Sequence, residues 1–220
     1  VQASLSEQAY DKLEMLIVTS DLAPGERTKL SELEEVSGFR RTPVHDAVKR
    51  LAVARLIQVL PRAGLRIAPL DLEEERLLLP VRIEMEALAA KLAAQRADTG
   101  CREALAQTAA MLAQGSGTMS LAEFNVVDRD INALVLKASD EPLLGNTLMP
   151  LQTLYRRSGW LFHSRLGSRE SLDETIAMHL TLVNTVLNGD PIEAEQIVRS
   201  MLSEVYGVLA KLSPRPRAAR

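Results

Sequence analysis

The twelve residues RRTPVHDAVKRL, Arg40 to Leu51, divide into two faces at helical spacing. Val44, Ala47, Val48 and Leu51 recur every three or four positions and predict a buried stripe. Arg41, His45, Lys49 and Arg50 fall on the opposite face. Thr42 can cap the helix, and Pro43 at its first position needs no partner for a missing N–H. Before it, Leu30, Leu33 and Val36 predict a short helix ended by Gly38. Ala23-Pro24-Gly25-Glu26 reads as a turn. Ala9, Leu13, Leu16 and Ile17 predict a helix from about Ser6 to Thr19, capped by Ser6, or by Ser4 with Glu7 in a capping box. After it, Ile57 to Leu60 reads as a strand, Pro61-Arg62-Ala63-Gly64 as a tight turn and Leu65 to Ala68 as the return strand. Three helices followed by a hairpin is the order of a winged helix-turn-helix. In that arrangement the third helix enters the major groove of DNA and the second crosses its backbone.

Charge supports this reading only when it is resolved along the chain. The 220 residues carry a net charge of −3, which by itself argues against a polyanionic partner. From Glu7 to Glu35 three Lys/Arg face eight Asp/Glu, whereas from Arg40 to Arg66 seven Lys/Arg face Asp46 alone. A basic block inside a near-neutral chain is the footprint expected where phosphates bind, and a solvated helix face is the competing explanation. Arg40, Arg41, Thr42 and His45 stand at the N-terminal end of the third helix, where side chains reach base edges. Lys49 and Arg50 lie further along, and Arg62 and Arg66 on the hairpin are placed for flanking phosphates or the minor groove. Gly64 keeps the hairpin tip slim. The alternative is an adaptor that docks another protein through the same basic helix.

Composition bounds the rest. Hydrophobic residues make up 46% and charged residues 25%, the balance of a globular chain. Aromatics are only 3%, so Leu, Ala, Val and Ile fill the core, a mix that favours helix. One cysteine, Cys101, excludes an internal disulfide framework and a cysteine-rich zinc module. No apolar run approaches the roughly 18 residues of a membrane span, and VQASLSEQ lacks a signal-peptide core. The expectation is a soluble cytoplasmic chain without a membrane partner. From Asp71 the pattern is almost continuously helical, in about six segments: 71–97, 99–114, 120–138, 141–162, 168–188 and 191–212. Short breaks between them predict antiparallel neighbours in a bundle. The expected fold class is therefore mainly α, with a winged helix-turn-helix over 1–70, an all-helical antiparallel bundle over 71–212 and a disordered basic tail over 213–220.

PGER at Pro24 to Arg27, RTPV at Arg41 to Val44, AVKRL at Ala47 to Leu51 and the hairpin PRAGLRI together resemble the DNA-binding domain of GntR-type bacterial transcription regulators. The resemblance implies that Arg41 and Thr42 read bases and that the wing near Gly64 enters the minor groove. His45 stands where the family usually has Arg, Ser31 where it often has a basic residue, and Arg40 where Ser is common, which implies an operator of its own. PVRIEMEALAAKLAA (Pro80 to Ala94), Asp128 with the following LVLKAS, Glu174 with His179, and GDPIEA (Gly189 to Ala194) resemble the all-helical FCD effector domain of the FadR-like branch. Both halves together imply a homodimeric, ligand-responsive transcription regulator acting on a palindromic operator, more readily as a repressor than an activator.

Many such effector domains hold a divalent metal through one Asp and three His. The matching positions here are Asp128, Asn132, His179 and Met201, so two of the four are altered. Asn is a weaker oxygen ligand and Met a poor one for zinc. The expectation is a hydrogen-bonded cluster of Asp128, Asn132 and His179, or a degenerate metal site, rather than tight zinc. His163 stands off the matching positions. Arg82 lies on the core side of its helix, and a buried Arg needs an anion. A small carboxylate effector and an internal Glu84 or Glu86 are the two candidates. Tyr155, with Arg156 and Trp160 beside it, joins Arg82, Asp128, Asn132 and His179 as a candidate effector residue. A helical metal-dependent enzyme is the remaining class, and the chain shows no nucleophile–base cluster or phosphate loop to support it.

Overall fold

The computed structural model describes residues 3–213, so the tail expected over 213–220 lies, apart from Ser213, outside the described residues. The chain forms two compact units. The first comprises residues 1–71 with Thr153–Leu161, the second Leu72–Gln152 with 162–220.

The first unit is built on α1 (Leu5–Val18), α2 (Leu30–Ser37) and α3 (Arg41–Val53). Ser4 caps α1, its hydroxyl accepting from the Glu7 amide while Glu7 accepts from the Ser4 amide. Gly38 ends α2 at φ +76°, a left-handed conformation in which glycine carries no Cβ penalty. Leu13, Ile17, Leu33, Val44, Ala47, Leu51, Leu56 and Ile67 are fully buried in one cluster. Each large aliphatic side chain among them stabilises the head by about 1.5–3 kcal/mol through burial. The strands β2 (Ile57–Leu60) and β3 (Gly64–Ile67) form the hairpin, with Ile57 opposite Ile67 and Leu60 opposite Gly64.

A two-residue strand, β1 (Arg27–Thr28), extends the sheet to the antiparallel order β1-β3-β2. Two residues are too few for a period-2 signal, and pairing, not propensity, makes this strand. α3 begins two residues earlier than expected. Arg40 is the N-cap without a side-chain bond, and Thr42 and Pro43 lie inside the first turn, where a missing N–H costs nothing.

The second unit is an antiparallel bundle of α4 (Leu72–Arg96), α5 (Thr99–Gly115), α6 (Leu121–Ala138), the ends of α7 (Pro142–Arg165), α8 (Arg169–Asn188), α9 (Pro191–Ser203) and α10 (Val205–Leu212). Ala87, Ala90, Ala93 and Ala94 of α4 are buried and let α9 approach through Ala194 and Val198. Asp98, Ser120, Ser168 and Asp190 cap α5, α6, α8 and α9 with side-chain oxygens. Arg102 donates to the Ala97 and Leu187 carbonyls and so closes the C-terminal ends of α4 and α8. The helix expected over 191–212 is two helices. It breaks at Glu204, beside a Ser203 hydroxyl that donates to the Arg199 carbonyl at 2.7 Å, a back-bond that bends helices.

The sequence division assigned 71–212 to one domain. Within that stretch the middle of α7 groups with the first unit, where Leu154 packs against the head's core. Trp160, the chain's single tryptophan, is half-buried in this segment.

Candidate DNA interface and interior polar cluster

Arg40, Arg41, Thr42, His45 and Lys49 are all exposed on α3 or at its cap. The backbone reason is that Val44, Ala47, Val48 and Leu51 occupy the core side and leave the other face to solvent. Asp46 lies 3.6 Å from Lys49 Nζ and 3.9 Å from His45 Nδ1. Exposed contacts of this kind contribute at most about 1 kcal/mol, so both side chains can be released to DNA. Arg62 is exposed at the wing tip with φ +61°, a conformation rare for a side chain of its size.

Gly64 serves the fold more directly than by slimming the tip. At φ +86° a Cβ there would lie 3.0 Å from the Thr28 carbonyl oxygen, so β1 and β3 meet only across a glycine. Two cations of the basic block are engaged within the head. Arg66 Nε donates to the Gly25 carbonyl at 3.1 Å. Arg50 places its guanidinium carbon 4.1 Å from the centroid of Tyr10, a cation–π contact.

In the second unit α6 and α8 bring Asp128, Asn132 and His179 together. Asp128 Oδ1 accepts from Asn132 Nδ2 at 3.1 Å and lies 3.3 Å from His179 Nε2. His179 Nδ1 is 2.8 Å from the Thr175 carbonyl and donates to it, which directs Nε2 at Asp128. Phe124 meets the ring edge-on at 5.1 Å. Burial alone would push the His179 pKa down. The Asp128 hydrogen bond and charge, the Thr175 carbonyl and Glu86 outweigh it and hold the pKa above the ordinary histidine value. His163 is pushed the other way, by burial and by His179. It contacts Thr175 Oγ1 at 3.4 Å through Nε2, and its buried Nδ1 has no hydrogen-bond partner among the described residues.

These positions do not make a zinc donor set. Asp128 and His179 turn their facing atoms on each other, Asn132 presents a donor, and Met201 offers a thioether packed against the core. Among the described residues, no three His, Cys, Asp or Glu side chains are grouped to hold a metal ion.

Arg82 takes the internal partner. Its Nε donates to Glu86 Oε1 at 2.7 Å, one turn along α4, and both residues are buried. Glu84 faces outward and pairs with Arg199, which also meets Glu195; Lys91 completes this network between α4 and α9. Tyr155 is buried but belongs to the first unit, so the second unit by itself holds Arg82, Asp128, Asn132 and His179.

One cluster had no counterpart in the sequence reading. The buried Glu14 of α1 accepts from Thr153 Oγ1 at 2.6 Å and lies 3.5 Å from Arg156 Nη1. Its signal was present: Glu14 sits four residues after Tyr10 and three before Ile17, on the stripe that fills the core.

Comparison with known proteins agrees with both halves. Residues 5–67 match the bacterial regulatory proteins of the gntR family, and residues 77–204 match the FCD domain. An HTH-type transcriptional regulator in an unstable DNA locus of Streptomyces ambofaciens is 26% identical over 211 residues, 92% of this chain and 84% of that protein. A second HTH-type regulator, from the TAR-I ttuE-ttuC' intergenic region of Agrobacterium vitis, is 35% identical over 85 residues, 37% of this chain and 48% of its own length. Among solved structures, E. coli McbR/YncC superposes with a TM-score of 0.80 at 19% identity, covering 96% of this chain and 99% of that one. A GntR regulator from Rhodococcus sp. RHA1 gives 0.69 at 14%, covering 96% and all of its chain. No helix among the described residues is long and apolar enough to cross a membrane. With a winged reading head of this order and an FCD bundle behind it, the chain belongs to the GntR family of bacterial transcription regulators and is a DNA-binding protein rather than an enzyme.

Proposed function

We propose that the chain represses transcription in the cytoplasm as a two-fold homodimer on a palindromic operator, and that a small organic acid bound in the helical domain relieves the repression. The reading rests on the exposed N-terminal end of α3. There Arg40, Arg41, Thr42 and His45 are exposed, and His45 makes only a weak contact with Asp46 among the described residues. Arg41 and Thr42 read base edges. Arg40, Lys49 and Arg62 neutralise phosphates, and the wing enters the minor groove. Arg50 and Arg66 contribute through the shape of the head, because each already has a partner inside it.

Arg82 supports an anionic effector. A carboxylate ligand can compete with Glu86 for the guanidinium, and the displaced Glu86 then faces His179, whose proton it favours. Asp128, Asn132 and His179 orient the ligand by hydrogen bonds, without a resident divalent metal. The effector acts by binding one placement of the two reading heads better than the other.

Two measurements test this. Gel shifts on duplexes selected from random sequence should give palindromes and an affinity that falls steeply with salt; salt-insensitive binding overturns the DNA surface proposed here. A panel of small carboxylates should include one that raises the melting temperature of the wild type but not of Arg82→Lys. Equal stabilisation of both overturns the role of Arg82.

A further inference from the structure

Glu14 is a carboxylate buried inside a DNA-reading head, 4% exposed. A buried charge without donors destabilises the fold strongly, and its donors here come from α7. Thr153 Oγ1 donates at 2.6 Å, and the Arg156 guanidinium lies at 3.5 Å. Thr153 and Arg156 are themselves buried and one turn apart, so they present one face of α7 to α1. Among the described elements, α7 alone has residues in both compact units. One turn before Glu14 on α1, the buried Tyr10 carries the guanidinium of Arg50, which belongs to α3. α1 also packs along α3 through Ala9, Leu13 and Ile17. Burial, then the nearby Glu14 carboxylate, pushes the Tyr10 hydroxyl up to about 12, so the ring stays neutral under the cation at any physiological pH.

We infer that Glu14 is a positioning residue for operator reading: through Thr153 and Arg156 it fixes the middle of α7 in the reading head. The inference rests on the two-fold dimer proposed above. In that dimer, loss of this anchor acts on the fit of two heads to two half-sites at once, while each head alone still recognises its own half-site.

The test uses the full chain and two duplexes, the palindrome selected by the wild type and a single half-site cut from it. Thr153→Val removes the short donor, Glu14→Ala removes the acceptor, and Glu14→Gln keeps an oxygen for Thr153 while removing the charge. Thr153→Val and Glu14→Ala are expected to weaken binding to the palindrome about tenfold and to leave half-site binding within about twofold, with Glu14→Gln between them and the wild type. A parallel loss on both duplexes makes Glu14 merely structural and overturns the inference, as does no loss on either. Thr153→Val carries the result if Glu14→Ala does not fold, because Thr153 lies outside the α1–α3 core. If the wild type itself binds the palindrome no better than the half-site, the dimer reading fails. Amide exchange then decides the inference: faster exchange in α1 of Thr153→Val sustains the anchoring of α7, and unchanged exchange overturns it.

Discussion

His179 is bound on both sides, by the Thr175 carbonyl at Nδ1 and by Asp128 at Nε2. Its folded pKa lies above the ordinary value of about 6.5, so its proton stabilises the fold fully below about pH 6.5. That contribution is lost as pH rises through the folded pKa. The melting-temperature gap between the wild type and His179→Gln should therefore be wide at pH 6 and narrow toward pH 9. A gap that is constant across this range would show that Asp128 does not hold the proton there. At the DNA face, Arg41→Ala should weaken selected-operator binding by about 1–3 kcal/mol and relax preference at one position. Lys49→Ala should weaken all sequences alike and reduce the salt slope by about one. Competition titrations on sequence-variant duplexes at several salt concentrations separate the two. Arg66→Ala, by contrast, should lower the melting temperature and leave the salt slope unchanged, since its guanidinium holds Gly25.

The elements of the reading head were legible in the sequence because each has a local cause. The Ser4–Glu7 box, the Gly38 stop and the Val44–Leu51 stripe are signals within a few residues of where they act. β1 was not legible, because its two residues become a strand only when β3 lies beside them across Gly64. The division of α7 was not legible either. Its pattern is helical throughout, and the acceptor that Thr153 meets in the head is a carboxylate nearly 140 residues earlier, on α1. In the candidate site, Asp128, Asn132 and His179 were grouped by the resemblance to the FCD domain and lie within reach of one another in the structure, whereas the choice of Glu86 over Glu84 for Arg82 needed the helix to be built. At this scale the prediction is Gly64→Ala. A left-handed φ and a close carbonyl should together cost about 1–2 kcal/mol, read as a lower melting temperature and a wing with faster amide exchange.

Across the whole molecule, acidity and DNA binding coexist because charge is partitioned. The basic block is confined to α3 and the hairpin, while the helical domain and the first two helices carry the acids. The effector domain proposed above, without a resident metal, also predicts a whole-chain property. EDTA should leave the melting temperature unchanged, and added zinc should not raise it, whereas a fall of several degrees with EDTA would establish a resident metal. The segment Thr153–Leu161 adds a different kind of access. Trp160 is the only indole in the chain, and it lies on the same stretch of α7 as Thr153 and Arg156. Its emission therefore reports one place and no other. A chain of this kind carries its own optical gauge, and a red shift or a change in quenching on adding effector or DNA can be followed in real time without any attached dye.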